Sequence, residues 1–208
     1  ASGGGRNYII NGAKEFWQRG TNITLNTGDP VKYSTDRFWT KITGGSFGVL
    51  QSTDVPANTS FDTSAKLSTG FITGVGFYGT RLEAKEVKHL AGKTVTFSMY
   101  LKSLSPSSVT NPSFVIYSPA GTSTDIWNDD LSIDEEEVNQ ALVLFTDWQQ
   151  YVFTFTLPQN CERGVQIGIK WDDLFSGGDL YTTGWKLEEG SQATKFTRAG
   201  GSYAGELA

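Results

Sequence analysis

LAGKTVTFSMYLKS (residues 90–103) places Val95, Phe97, Met99 and Leu101 at every second position, with Thr94, Thr96, Ser98 and Lys102 between them. Successive side chains of an extended chain point to opposite faces, so a period of two predicts a strand with one buried and one wetted face. YVFTFTLP (151–158) repeats the pattern, with Tyr151, Phe153, Phe155 and Leu157 against Thr154 and Thr156. VQIGIKW (165–171) does so again, with Val165, Ile167, Ile169 and Trp171 against Gln166 and Lys170. These are core strands, and their apolar faces need another sheet to bury them.

Weaker strand patterns cover Phe38 to Ile42, Ser46 to Gln51, Phe71 to Leu82, Ser113 to Tyr117 and Asp179 to Leu187, punctuated by Gly, Pro, Asn and Asp. That makes eight or nine strands. Only LEAKEVKHL (82–90) has helical spacing, and it is read as a turn before the 94–102 strand. Thirteen Phe, eight Tyr and six Trp against one Met describe a core of rings and β-branched residues, which suits pleated sheets. No repeat of roughly 20 to 50 residues is visible, so solenoids and propellers drop out. The pattern predicts an all-β, two-sheet antiparallel sandwich.

A net charge of −5, with no run of more than two basic residues, argues against a nucleic-acid partner. No apolar stretch approaches the ~18 residues of a membrane span, so no membrane insertion is expected. Cys161 stands alone, which leaves no disulfide and no cysteine-rich zinc site. His89 is the single histidine, and without a GxSxG-type turn it reads as a surface or capping residue. Asp172 and Asp173 could supply a carboxylate pair, but a turn after a strand explains them as well. The expectation is that the chain is not an enzyme.

DIWNDDLSIDEEEVNQ (125–140) lies in the longest interruption, Ser118 to Phe145, and reads as an acidic loop. Its oxygens are raw material for calcium, but the spacing of an EF-hand is not met and a solvated loop is the reading kept.

Four tracts stand in a fixed order: NYIINGAKEFWQRGT (7–21) with TDRFW (35–39), then LAGKTVTFSMYLKS (90–103), TDWQQYVFTFTLP (146–158) and WKLEEGSQATKFTR (185–198). Together they resemble the carbohydrate-binding-module-like jelly-roll domain of bacteriophage tail-fibre and receptor-binding proteins, over nearly the whole chain. The resemblance implies a jelly roll at 7–199, between a flexible connection at 1–6 and the glycine-rich start of a C-terminal extension at 200–208. It implies a virion tail protein made in the host cytoplasm, a homotrimer with other fibre subunits, and a host cell-surface glycan as partner. A structural domain of the fibre without its own ligand is the alternative, and a glycan-degrading domain the third reading. Some similar jelly rolls hold a structural calcium near a Gly-x-x-Glu tract. Gly12 and Glu15 fit loosely, but Thr182-Thr183-Gly184 stands where acidic residues would be expected, so no cofactor is assigned.

Sugars offer C–H faces to rings and hydroxyls to polar groups, so a glycan site needs an exposed aromatic beside hydrogen-bonding side chains. Trp17, Trp148 and Trp185 sit at sheet-forming positions and read as core, as does Trp171; Asp36 and Arg37, before Trp39, read as a structural ion pair or turn lock. Trp127 has no alternating apolar partners. With Asn128, Asp129, Asp130 and, on the preceding strand, Tyr117, it is the candidate ligand contact; the competing reading folds it back as a lid on the sandwich.

Overall fold

The computed structural model describes residues 5–70, 72–129, 133–174 and 178–207. Among these, twelve strands form two six-stranded antiparallel sheets. The first sheet runs β1 (Asn22–Asn26), β4 (Ser46–Ser52), β5 (Ser64–Thr69), β12 (Leu180–Glu189), β7 (Thr94–Ser103) and β10 (Gln149–Thr156). The second runs β2 (Lys32–Tyr33), β3 (Phe38–Ile42), β6 (Gly76–Leu82), β11 (Val165–Trp171), β8 (Ser113–Ser118) and β9 (Glu135–Ala141). Neighbours in each sheet are seldom neighbours in sequence, which is the jelly-roll arrangement of two facing sheets. Among the described residues two short α-helices, α1 (Ala84–Val87) and α2 (Tyr203–Leu207), and three 3-10 turns complete the set of elements.

The inward set predicted for β7 and β11 is fully buried: Val95, Phe97, Met99, Leu101, Val165, Ile167, Ile169 and Trp171. Phe97 of one sheet stacks on Phe114 of the other, with centroids 4.6 Å apart, and Phe153 stacks on the far side of Phe114 at 4.8 Å. Trp185 meets Phe38, Phe97 and Tyr78 edge-on. Such ring pairs contribute about 0.5–1.5 kcal/mol each beyond burial.

The 151–157 tract joins the core as expected, with Leu157 fully buried, but its three rings pack against the core from the rim. β10 is the edge of its sheet, paired only with β7, so Tyr151, Phe153 and Phe155 are half-buried. The strand count also exceeds the eight or nine expected. β1, β5 and β9 lack a clear apolar period and form by pairing with β4, with β4 and β12, and with β8. β9 corrects the acidic loop: its second half, Glu135–Ala141, is an edge strand.

The 7–21 tract is tied across the chain. Asn7 Nδ2 donates to the carbonyls of Trp185 and Thr197, and Asn11 Nδ2 to those of Phe16 and Asp36. Asp36 Oδ1 accepts from Gln18 N at 3.2 Å, so Asp36 acts as the turn lock through the backbone. Glu15 and Glu206 both pair with Arg198, so the carboxylate that the calcium reading needed is engaged by a guanidinium. Among the described residues no helix is long and apolar enough to cross a membrane.

Candidate functional site

Alternation along β7 sends Ser98, Tyr100 and Lys102 outward from the first sheet, and register aligns them with neighbours. Tyr100 lies between Thr183 of β12 and Gln150 of β10; Lys102 lies beside Tyr181, which faces Lys66 of β5. β12 bulges between Thr183 and Lys186, where Gly184 takes φ +67°. A Cβ on Gly184 would stand 2.6 Å from the Phe61 ring and 3.0 Å from Tyr100, so glycine both turns the strand and makes room for the rings.

Beyond the bulge the outer face is closed. Lys186 and Glu188, with side chains 0% and 1% exposed, pair at 3.3 Å, and Lys186 Nζ also donates to Thr194 Oγ1 and to the Lys195 carbonyl. This buried pair holds the closing tract 190–198 over β12. The tract's Lys195 and Phe196 form one wall of a groove of about 480 Å³, and Asn58, Ser60 and Phe61 form the other. Tyr100, Ser98 and Gln150 line its floor. Phe61 meets Tyr100 at 5.7 Å and Phe196 at 5.0 Å, both edge-on. One row along the sheet, the half-buried Trp148 donates from Nε1 to Asp54 Oδ1 at 2.9 Å and faces Tyr181 at 6.4 Å, with the Lys102 ammonium over both rings. Burial pushes the Asp54 carboxyl up, but the bonds from Lys102 and Trp148 outweigh it and hold it below its ordinary range. Trp148 therefore belongs to the outer surface, whereas Trp185 and Trp171 are in the core as expected.

On the outer face of the second sheet Phe77 lies flat across Gly79 and Gly168, where a Cβ would come within 2.6 and 2.3 Å of its ring. Phe77 stacks on Trp39 at 4.6 Å and meets Tyr117 at 6.4 Å. Trp127 folds back against this cluster, half-buried. Its loop is held by Asp125, whose Oδ1 accepts from Ala84 N at 2.8 Å and whose N–H donates to the Arg163 carbonyl. The Arg81 guanidinium packs over Trp39 at 4.4 Å and Trp127 at 5.5 Å and lies 3.8 Å from the exposed Asp129.

Of the sequence candidates, Trp127, Asn128 and Asp129 are brought together around Arg81, and Asp130 lies outside the described residues. Asn128 bonds through its backbone and side chain to Asp134 Oδ1, at 3.3 Å each. Tyr117 is a wall of the ring cluster rather than a surface residue: it is 1% exposed, its hydroxyl donates to Glu136 at 2.9 Å, and burial followed by that carboxylate raises its pKa. Burial likewise raises the Asp134 carboxyl, whose Oδ2 has no partner; Gln166 Nε2 and Trp39 Nε1, on side chains that both contact Arg81, have none either.

Other candidates are held in structural bonds. Asp172 accepts from Asn111 Nδ2 and Asp173 from Gly74 N, both at 2.7 Å, and His89 bonds Tyr8 at 2.9 Å. Among the described residues no three His, Cys, Asp or Glu side chains converge as metal ligands. Sequence reasoning missed Tyr100, although a signal existed: it is an aromatic in the polar row of the alternation that defines β7.

No protein family profile matches the chain, and no curated protein does. Among solved structures it is similar to the enzymatically active domain of tailspike protein 4 of bacteriophage CBA120, with a TM-score of 0.55 and 12% identity, covering 88% of this chain and 21% of that one. It is also similar to a family 22 xylan-binding domain, with a TM-score of 0.51 and 10% identity over 80% of this chain and 99% of that one. The C-terminal family 22 carbohydrate-binding module of Clostridium thermocellum Xyn10B gives a TM-score of 0.52 and 11% identity, over 82% and 100%. The chain thus spans about a fifth of the tailspike domain and the whole of the two modules. At these identities the likeness is one of fold alone, a two-sheet β-sandwich.

Proposed function

We propose that this domain is a non-catalytic polysaccharide-binding module, and that it reads its ligand along the outer face of the first sheet, in the groove over Tyr100. The observation that carries the reading is a groove that combines rings with hydrogen-bonding groups: Tyr100 beside Gln150 on the floor, Phe61 and Phe196 in the facing walls with Asn58 and Ser60, around about 480 Å³. Sugar rings use an aromatic plane for their C–H face and amides and hydroxyls for their edges, and clefts of this size suit such ligands. The similarity in fold to xylan-binding modules supports the class of ligand. The finer reading, a virion tail module that attaches to a host-surface polysaccharide as part of a homotrimeric fibre, is part of the proposal; the likeness in fold to a domain of a bacteriophage tailspike protein supports its virion-tail element alone.

A second site reading falls on Trp127, Asn128 and Asp129, favoured by the unpartnered Asp134 Oδ2 and by the unpartnered Gln166 Nε2 and Trp39 Nε1 on side chains that contact Arg81. Affinity electrophoresis in gels containing xylan and host-surface polysaccharide tests both. The parent is expected to be retarded, Tyr100→Ala to run free in the neutral xylan gel, and Trp127→Ala to run like the parent, with circular dichroism as the folding control. Retardation abolished by Trp127→Ala and kept by Tyr100→Ala would move the site to the second sheet. A parent that migrates freely in every gel would favour a structural domain of the fibre. Release of reducing ends from the polysaccharide would instead make the domain an enzyme.

A further inference from the structure

Where the 7–21 tract meets the β2–β3 turn and α2, a cleft of about 390 Å³ is lined by Gln18, Arg19, Tyr33, Asp36, Arg37 and Glu206 among others, and it shares no lining residue with the groove over Tyr100. Its two carboxylates are already engaged. Glu206 accepts from the N–H groups of Asn11 and Ala199 and pairs with Arg198, at 3.1 to 3.3 Å; Asp36 Oδ1 takes the Gln18 N–H. Its two guanidinium groups are not. Among the described residues Arg19 and Arg37 make no ion pair within 4 Å, nor does Arg6 away from the cleft, whereas Arg81, Arg163 and Arg198 each do. Arg37 acts on Glu83 only at longer range, as the smallest influence on that carboxyl.

Arg37 is exposed and sits at φ +70°, in the left-handed region. A glycine or asparagine would hold that turn with less strain. Backbone strain of this kind recurs where a side chain is needed at a binding site, and here it presents a guanidinium at the cleft. Arg19 lies over the Tyr33 ring at 5.6 Å, and that ring is 40% exposed. Two unpaired guanidinium groups suit a carboxylate, which accepts from arginine in a bidentate fork. A partly exposed tyrosine beside them suits the C–H face of a sugar. A ligand that uses both is a ring bearing a carboxylate, whereas an acidic peptide would use the arginines and leave the tyrosine idle.

We propose that this cleft binds a uronic acid unit of an acidic polysaccharide, with Arg19 and Arg37 holding the carboxylate and Tyr33 the ring. The proposal rests on the reading of the domain as a polysaccharide binder, and adds a second site that selects for acidic chains.

Calorimetric titration of the domain with a short oligogalacturonate, and with the same oligomer after reduction of its carboxyl groups, tests it. The acidic oligomer is expected to bind, to weaken as salt rises, and to bind on the order of tenfold or more tighter than its reduced form. Arg19→Gln and Arg37→Gly are each expected to cost on the order of tenfold in that affinity. Arg37→Gly suits the left-handed turn, so the fold is kept, with circular dichroism as the check. Tyr100→Ala should leave acidic binding unchanged while removing binding of a neutral xylo-oligosaccharide, so the groove and the cleft fail separately. Equal binding of acidic and reduced oligomers, folded arginine variants that bind like the parent, or no binding of the acidic oligomer would each overturn the proposal. So would an oligoglutamate that binds as tightly and is indifferent to Tyr33→Ala, which would assign the cleft to an acidic peptide.

Discussion

Lys14 carries its ammonium 3.2 Å from the centroid of the Phe38 ring and 4.4 Å from that of Trp185, with no exposed surface and no hydrogen-bond partner on Nζ. The rings attract a cation, but a desolvated ammonium without a counter-ion costs more than ring contacts return. Burial accordingly pushes its pKa well below the ordinary lysine value, against a smaller opposing pull from Glu206. A base whose pKa is lower when folded binds fewer protons in the folded state. Its contribution therefore makes stability rise with pH toward 10.5 and fall as pH drops below that value. Tyr78, whose phenol is driven up by burial despite its bond to Thr35, gives the opposite slope above the ordinary tyrosine range. Urea unfolding of the parent and of Lys14→Met between about pH 6 and 9 reports the lysine as the difference between their slopes, at most about 1.4 kcal/mol per pH unit. The buried Cys161 thiol, pushed up to about 12, adds an opposing slope to both. Lys14→Met keeps the length and puts a soft sulfur against the rings. It is expected to raise stability by roughly 1–3 kcal/mol at neutral pH and to flatten the slope. A loss of stability would mean that the cation–ring attraction outweighs desolvation.

At the level of elements, position in the sheet decides what a side chain is worth. Phe97 is on β7, between β12 and β10, and is fully buried; Phe155 is on the edge strand β10 and half-buried. Phe97→Ala is expected to cost about 3–5 kcal/mol, and Phe155→Ala about half of that, measured by denaturant midpoints. Equal costs would mean that β10 is covered by something beyond this chain. Gly168→Ala should cost about 1–3 kcal/mol, because the new methyl group meets both the Phe77 ring and the Tyr78 carbonyl. The same contrast explains what could be read from sequence. β7 and β11 bury one whole face, so their period of two is written in Val95 to Leu101 and Val165 to Trp171. β9 is exposed or half-exposed along its length, and EEEVNQA becomes a strand because β8 supplies its partners. Period alone could not reveal that β10 is an edge, since edge position belongs to the sheet order. The candidate site was legible only in part. Trp127 lacked an apolar period and does sit outside the main core, but Tyr117 is in phase with a second, outward-facing ring cluster that a one-core reading does not foresee.

At the scale of the whole molecule, two sheets give two outer faces, and the chain uses them differently. The second sheet buries rings under Arg81 and Trp127, while the first leaves Tyr100 and Trp148 half-exposed beside Gln150, Lys102 and Asp54. A groove with one ring on its floor offers a single stacking contact, worth about 1 kcal/mol, and a few hydrogen bonds worth about as much each. After the entropy of association, a single domain is expected to bind a neutral oligosaccharide with a Kd near the millimolar range. Useful attachment to a surface then has to come from copies. Two domains joined by a flexible Gly-Ser linker long enough to reach neighbouring sites on a polysaccharide chain are expected to hold immobilised polysaccharide roughly 10²-fold or more tighter than one domain, mainly through slower dissociation. Tyr100→Ala in one of the two copies should return the tandem to the single-domain level, and in both copies should abolish retention. Surface plasmon resonance on an immobilised neutral polysaccharide such as xylan distinguishes these outcomes. A tandem no better than a single domain at every linker length would show that two grooves cannot engage one surface together. The sandwich would then act as a spacer in its parent polypeptide, with recognition carried by another segment.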